Sequence, residues 1–463
     1  MKISHSLCRR RRENQIPDLL YSSQALRKLI IPLVLEQILS LLVGMADTVM
    51  IAGVGEAAVS GVSLVDTVNI LVINVFVAFG TGGAVVSGHF LGQGDPESAG
   101  KAAWQVNLLA VSVALAVTAV FLVFRDGLLR LIFGRVEAQV MYSAGSYLAI
   151  TALSIAPLAV YNACAAQFRA MGDSRTTMWI SLFMNFLNIL GNALLIYGAR
   201  IGTAGAAIAT TVSRTVAAAI ILYLMFHGDR LIHFRNKVTL RLQPELIRKI
   251  LYIAVPNSLE NSLFQLGKIL TISLIATYGT YSIAANAVTS TIAGLNVLPA
   301  SAVNNALLAV VAVCVGADQI GQARFYTRKL MKMEYIGVAA VSVILITGAR
   351  RIIGIYQLSP QATELATRVL TYYAAMAMVF WIPSFSLPNV FRAAGDVIWP
   401  MGIAGFSMWV FRLGFSYLLG TLLGLGLFGI WIAMTVDWVF RGLCYVIRYR
   451  SGKWERKLLD RRE

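Results

Sequence analysis

The chain is built from apolar runs long enough to cross a bilayer. Breaks at Gly, Pro or charged residues divide it into twelve such runs, near 29–53, 57–87, 101–124, 140–166, 177–198, 203–227, 247–277, 281–315, 333–350, 364–390, 398–420 and 424–447. A helix needs about 20 apolar residues to span the hydrocarbon core. No water satisfies the backbone there, so a spanning segment either closes its own hydrogen bonds as a helix or joins a closed barrel. Runs of this length without strict two-residue alternation specify helices. The expected fold class is an all-α integral membrane protein with twelve transmembrane helices. Composition agrees, since 58% of the 463 residues are hydrophobic and 13% charged, whereas soluble domains carry about 25% charged residues. A soluble protein is excluded, and no large domain fits outside the membrane.

A net charge of +17 would suggest nucleic acid in a soluble protein, but its placement points to lipid. Of 39 Lys and Arg, 20 fall within residues 2–28, 228–249 and 448–463, among them Arg9, Arg10, Arg11 and Arg12. The positive-inside rule places such clusters in the cytoplasm, where they can also rest on anionic lipid. They lack the interleaved aromatics that stack on bases, which argues against nucleic acid. An even number of spans puts both termini on one side. Connections with Lys101, Arg169, Arg175, Arg324, Arg328, Lys329 and Arg392 lie on that side too, so both termini are expected in the cytoplasm and the protein in the plasma membrane. The polar start is too long for a cleavable signal, which leaves the first span as the insertion signal. Cys8, Cys164, Cys314 and Cys444 have no metal or paired spacing and read as apolar fillers.

The chain also repeats itself. A shift of 224 residues places Pro32-x-x-x-Glu36 on Pro256-x-x-x-Glu260, Gly55 on Gly279, Gly92 on Gly316, Ala99 on Ala323, and Gly205-x-x-Ile208-Ala209 on Gly429-x-x-Ile432-Ala433. A shift of 223 places Phe168-Arg169-Ala170-Met171-Gly172-Asp173 on Phe391-Arg392-Ala393-Ala394-Gly395-Asp396. Two six-helix bundles are expected, 29–227 and 247–447, joined by a cytoplasmic linker at 228–246 and flanked by basic cytoplasmic segments 1–28 and 448–463. With an even number of spans per half, the pseudo-twofold axis runs along the membrane normal, as in many secondary transporters. The cleft between halves is then the substrate path.

Four segments carry a family resemblance: Ala46-Asp47-Thr48-Val49-Met50, Gly92-Gln93-Gly94-Asp95-Pro96-Glu97, Phe168 to Asp173, and Gly202-Thr203-Ala204-Gly205-Ala206-Ala207. In this order, with the repeat and the length, the chain resembles multidrug and toxic compound extrusion (MATE) transporters. The resemblance covers nearly the whole chain and implies a V-shaped pair of bundles. It further implies a secondary antiporter that exports organic compounds, often cationic and amphipathic, in exchange for H+ or Na+. A sister branch of the same fold flips lipid-linked oligosaccharides and is the alternative. Major facilitator transporters fit less well, because Gly92–Lys101 holds one Lys and two acids instead of a basic signature. No short span or carbonyl-filter-like loop suggests a channel. A membrane-embedded enzyme would need His or Ser beside an acid at depth, and only His89 comes near. The chain is therefore not expected to be an enzyme.

Ionisable residues within spans cost at least about 2.5 kcal/mol on insertion scales, which makes each a functional candidate. They are Glu36, Asp47, Asp66, Arg214, Glu260, Lys268, Arg412 and Asp437. Glu36, Ser40, Gly44 and Asp47 share one face of the first helix, as cavity lining or as a hydrogen-bonded polar seam. Asn188 and Asn192 are one turn apart, and depth counting places Asn192 in the outer half of the bundle with Asp47 and Thr210. In MATE relatives an Asp on span one, a pair four apart on span five and a Thr on span six form a cation site. The resemblance assigns those roles to Asp47, Asn188, Asn192 and Thr210, whose oxygens suit Na+ or H+.

The second half departs from the family pattern. Glu260 is the repeat partner of Glu36. The span-seven Glu of some sodium-coupled members would fall at or beside Phe264, and their span-ten Asp at Trp381, so a second Na+ site is not expected. Lys268 is too far around its helix from Glu260 for a direct pair, and it reads equally as a structural partner or a switch. Arg214, Arg412 and Asp437 are expected in interhelical pairs or snorkelling. Glu36, Glu260, Lys268, Tyr161, Phe264 and Trp381 complete the candidates for the substrate cavity or for coupling in the second half. The expected partners are a small organic substrate and the bilayer. The protein is expected to act as a monomer, without cofactor and without metal beyond a Na+ at Asp47.

Overall fold

The computed structural model describes residues 19–134, 137–227, 230–234 and 239–455. Arg9 to Arg12, Cys8 and the tail beyond residue 455 lie outside them. Twelve helical spans follow in order: α1 (Ser23–Ala52), α2 (Glu56–Gly92), α3 (Pro96–Val123), α4 (Ala138–Ala152 and Ile155–Ala170), α5 (Ser174–Gly198), α6 (Gly202–His227), α7 (Pro244–Ala276), α8 (Thr280–Gly316), α9 (Ile320–Gly354), α10 (Pro360–Ala393), α11 (Ile398–Leu422) and α12 (Gly426–Arg450). Among the described residues, ten of these are long and apolar enough to cross a membrane, and α4 makes an eleventh as a pair bent by 50°. The remaining one, α7, has the length, at 33 residues, but Glu260, Gln265 and Lys268 dilute its apolarity.

Several helices start before their apolar runs. The run expected from 29 begins as a helix at Ser23, the one from 333 at Ile320, and the one from 364 at Pro360. Apolarity marks only the part of a helix that sits in hydrocarbon, whereas polar caps set the ends. Ser22 Oγ accepts from Ala25 N at 3.1 Å, Asp95 from Ser98 N at 2.9 Å, and Asp173 from Thr176 N at 3.1 Å. Ser98 also holds the half-buried Asp95 carboxyl below its usual range by hydrogen bonding. The linker is correspondingly shorter than expected, because α6 ends at His227 and α7 begins at Pro244. A short helix, Arg125–Phe133, follows α3 and has no counterpart among the expected spans.

The repeat is visible in the backbone. Gly172 (φ +82°) and Gly395 (φ +79°) take the left-handed conformation that closes a helix end. Around each, the same two bonds form: Gly172 N to Arg169 O and Gly395 N to Arg392 O, both 3.0 Å, then Asp173 N to Phe168 O at 2.9 Å and Asp396 N to Phe391 O at 2.8 Å. Each aspartate then meets a cation, Asp173 with Arg230 and Asp396 with Arg448 at 2.9 Å.

Both ends of the described chain lie against the start of α9. Leu20 N donates to Gln322 at 3.0 Å and Glu455 pairs with Arg324 at 2.5 Å, which defines a basal end. The halves meet there. α2 crosses α8 where Gly92 and Gly316 face each other so closely that a Cβ on either would run into the other helix's backbone. These residues are equivalent in the repeat, and equivalent residues meet when they lie on the symmetry axis. The flanking contacts obey the same symmetry, α7 against α2 and α1 against α8. His89 Nε2 adds a 2.7 Å contact to Ala393 O across the halves. A single apolar core containing Leu29, Phe76, Val310 and Phe391 joins both halves towards the basal end. Towards the other end the cores separate, one around Val65 and Tyr147 in the first half and one around Ile292 and Trp431 in the second. The molecule is thus a V closed at its base.

Candidate functional site

In the first half, a polar cluster lies in the outer part of the lobe. Asp47 is 24 residues beyond Ser23, about 36 Å along α1. The α1 face bearing Glu36 and Asp47 packs on α5, and both acids reach it. Thr177 Oγ1 lies 3.4 Å from Glu36 Oε2, and Asn192 Nδ2 donates to Asp47 Oδ1 at 2.8 Å. Oriented so that its oxygen accepts from Thr210 Oγ1 at 3.1 Å, the Asn188 amide donates to both Asp47 oxygens, at 2.9 and 3.1 Å. Asp47, Asn188, Asn192 and Thr210 therefore form one hydrogen-bonded group. Asn192 Oδ1 is buried with no hydrogen-bond partner among the described residues, an acceptor beside a carboxylate. Asp66 and Arg214 are the charged neighbours of Asp47. Tyr147 reaches towards Asp66, and Arg214 bonds Ser154 Oγ at 2.8 Å. Tyr161 is buried in this lobe near Phe168 and Ile180, with Glu36 and Arg169 as its charged neighbours.

The second half holds a cavity of about 500 Å³ lined by Phe264, Lys268, Tyr373, Trp381, Arg412 and Trp431, among others. Trp381 stacks on Phe385 with centroids 4.7 Å apart. Lys268 Nζ lies 5.3 Å from the Phe264 centroid and Arg412 Cζ 4.8 Å, both within cation–π range. Glu260 stands apart from this cavity. It forms a salt bridge with Arg392 at 2.6 Å, and Arg392 also bonds Asn389 Oδ1 at 2.8 Å. Arg412 and Asp437 approach at 3.6 Å as the expected interhelical pair, but Lys268 makes no ion pair among the described residues.

Among the described residues, Arg441 and Glu334 are buried ionisable groups that the sequence does not single out. Arg441 is 3.2 Å from Asp437, and the i,i+4 spacing of the two is a usable signal. Glu334 is fully buried and accepts from Ser386. The apolar run begins only at 333, which puts Glu334 at an interface, whereas α9 begins fourteen residues before it. Local π-helical segments, which carry an extra residue per turn and often mark functional sites, abut the candidates. Ala193–Gly198 follows Asn192, Ala377–Trp381 ends on Trp381, and Met408–Gly414 contains Arg412.

A helical V of two like-oriented bundles, with a polar cluster in one arm and a cavity in the other, defines a secondary transporter of the membrane. The MatE family model matches twice, over residues 32–194 and 256–418, the two copies offset by the register of the internal repeat. The chain belongs to this family, whose members are multidrug efflux transporters and not enzymes. The probable multidrug resistance protein NorM of Thermotoga maritima is 26% identical over 455 residues, covering 97% of this chain and 96% of that protein. The uncharacterized transporter YisQ of Bacillus subtilis is 28% identical over 436 residues, covering 92% and 94%. An outward-facing multidrug resistance MATE transporter of the MOP superfamily superposes with a TM-score of 0.87 at 20% identity, over 93% and 96% of the two chains. A MATE structure in the bent conformation gives 0.86 at 20% identity over 94% and 96%. At that identity these structures speak for the fold.

Proposed function

We propose that the protein exports amphipathic organic compounds across the plasma membrane in exchange for H+ or Na+, with Asp47 carrying the coupling ion. The observation behind this is the Asp47 carboxylate held by the Asn188 and Asn192 amides, with Thr210 bonded to Asn188 behind it and the Asn192 oxygen still able to accept. Asp66 and Arg214 nearby are of opposite charge, which leaves the Asp47 carboxylate to balance one monovalent cation, and its oxygens together with that of Asn192 suit a hard ion such as Na+. A proton would neutralise Asp47 directly. The basal end is cytoplasmic in this reading and the V opens outward. An organic cation would be held in the first lobe, where Glu36, Asp47 and Asp66 supply the acids, and ion arrival at Asp47 would repack α1 against α5 and α6 to expel it. A ligand shifts a conformational equilibrium only by its differential affinity for the two states, so ion and substrate must weaken each other's binding equally.

Ethidium export from proteoliposomes under separately imposed pH and Na+ gradients tests this. Asp47→Asn should reconstitute normally and abolish gradient-driven export. Undiminished export by that variant, or wild-type export with neither gradient, would refute the assignment.

A further inference from the structure

The two lobes differ in the sign of their net charge around equivalent sites. In the 224-residue register the face Glu36, Ser40, Gly44, Asp47 of α1 corresponds to Glu260, Phe264, Lys268, Thr271 of α7. The same register sets Ser290 at Asp66, Arg412 at Asn188 and Met434 at Thr210. Phe264, Lys268, Thr271, Ser290, Arg412 and Met434 all line the second-half cavity. The cavity is therefore the counterpart of the Asp47 cluster, with Asp47, Asp66 and Arg214 replaced by the neutral Thr271, Ser290 and Trp438 and two cations, Lys268 and Arg412, introduced.

Among the described residues those cations are only partly compensated. Asp437 is the acid beside Arg412 and Arg441, at 3.6 and 3.2 Å, and one carboxylate cannot balance two guanidiniums and the Lys268 ammonium. Arg412 is 7% exposed, and its Nη1 faces Asp437 Oδ2 at 3.6 Å, beyond hydrogen-bond reach, with no closer acceptor among the described residues. A buried excess of positive charge is costly, and an anion bound in the cavity relieves it. Around these groups Phe264, Trp381 and Trp431 offer flat apolar walls.

We infer that this cavity is a binding site for amphipathic organic anions, with Lys268 and Arg412 on the acid group and the aromatic walls on an apolar or aromatic body. The inference deepens the reading of the protein as an exporter by giving it a second substrate class, in the lobe opposite Asp47. Such an anion is either a soluble aromatic acid or an anionic lipid entering from the bilayer, which present the same chemistry to the site.

The test is calorimetric titration of the full chain in nanodiscs of neutral phosphatidylcholine with 2-naphthoate and, as the matched cation, 2-naphthylmethylammonium. Saturable binding of 2-naphthoate at least tenfold tighter than the ammonium is expected. Lys268→Gln should weaken it at least tenfold, and Lys268→Glu should reverse the ranking of the two probes. Because Lys268 pairs with no acid among the described residues, both variants should fold, and an unchanged thermal midpoint confirms this. Adding phosphatidylglycerol to the discs separates the sources: competition dependent on Lys268 identifies a lipid occupant, and its absence a soluble acid. Preference for the ammonium, or 2-naphthoate affinity unaltered in Lys268→Gln, overturns the inference. The measurement uses no gradient, so its failure leaves export through Asp47 standing, and loss of the Asp47 result leaves this site untouched.

Discussion

Glu260 and Arg392 illustrate how much a buried charge depends on its partner. Their side chains are 14% and 11% exposed and 2.6 Å apart, and the repeat sets Glu36 and Arg169 near each other in the first lobe. Removing one member of such a pair strands the other charge, at about 3 kcal/mol or somewhat less given the residual exposure. Glu260→Gln should therefore lower the thermal unfolding midpoint in detergent by several degrees, and Glu260→Gln combined with Arg392→Gln should recover part of it. If Glu260→Gln instead keeps its midpoint and loses gradient-driven export, the pair belongs to coupling and not to stability. Residues of this kind are legible in the sequence because ionisable groups within apolar runs are few, and Asp47, Asn192 and Thr210 can be grouped by depth alone. Partners are less legible. Which cation Asp437 meets depends on how α11 and α12 turn against each other, and the π-helical Met408–Gly414 rotates Arg412 by an amount no 3.6-residue count foresees.

At the level of elements, the crossing of α2 and α8 depends on the missing side chains of Gly92 and Gly316. A methyl at either position lands on the opposing backbone, which cannot move aside as a side-chain tip can. Gly316→Ala should cost about 1–3 kcal/mol as an overpacked contact and should loosen the base of the V. Gly402 in α11 has open space where a Cβ would sit, with nothing within 4 Å. Gly402→Ala should be neutral or stabilising by up to about 1 kcal/mol, the helix-propensity difference. Thermal midpoints of the two variants check both signs in one assay, and equal effects would show that the crossing is not tight. The twelve helices and their order follow from apolarity and the repeat, whereas the break in α4 and the true helix ends do not. Bends and caps answer to polar groups at single positions, and a window averaged over 20 residues does not register them.

For the whole molecule, the opposite polarity of the lobes becomes a statement about the membrane potential. Each elementary charge crossing 100 mV is worth about 2.3 kcal/mol. If one H+ or Na+ enters through the Asp47 cluster while a monovalent organic cation leaves, no net charge moves and the potential does no work on the cycle. If instead a monovalent organic anion leaves from the Lys268 and Arg412 cavity, the entering cation and the departing anion both carry positive current inward. Two charges then move, and about 4.6 kcal/mol per 100 mV favours export. In proteoliposomes clamped with valinomycin and graded K+, export of 2-naphthoate should accelerate as the side facing the basal end becomes more negative, while one-for-one export of ethidium should respond to the ion gradient alone. Lys268→Gln should remove the potential-driven 2-naphthoate flux and spare that of ethidium, because the cation is held in the other lobe. A 2-naphthoate flux indifferent to potential would mean that compensating charge travels with the anion, so that the lobes do not act as sites of opposite sign in one cycle.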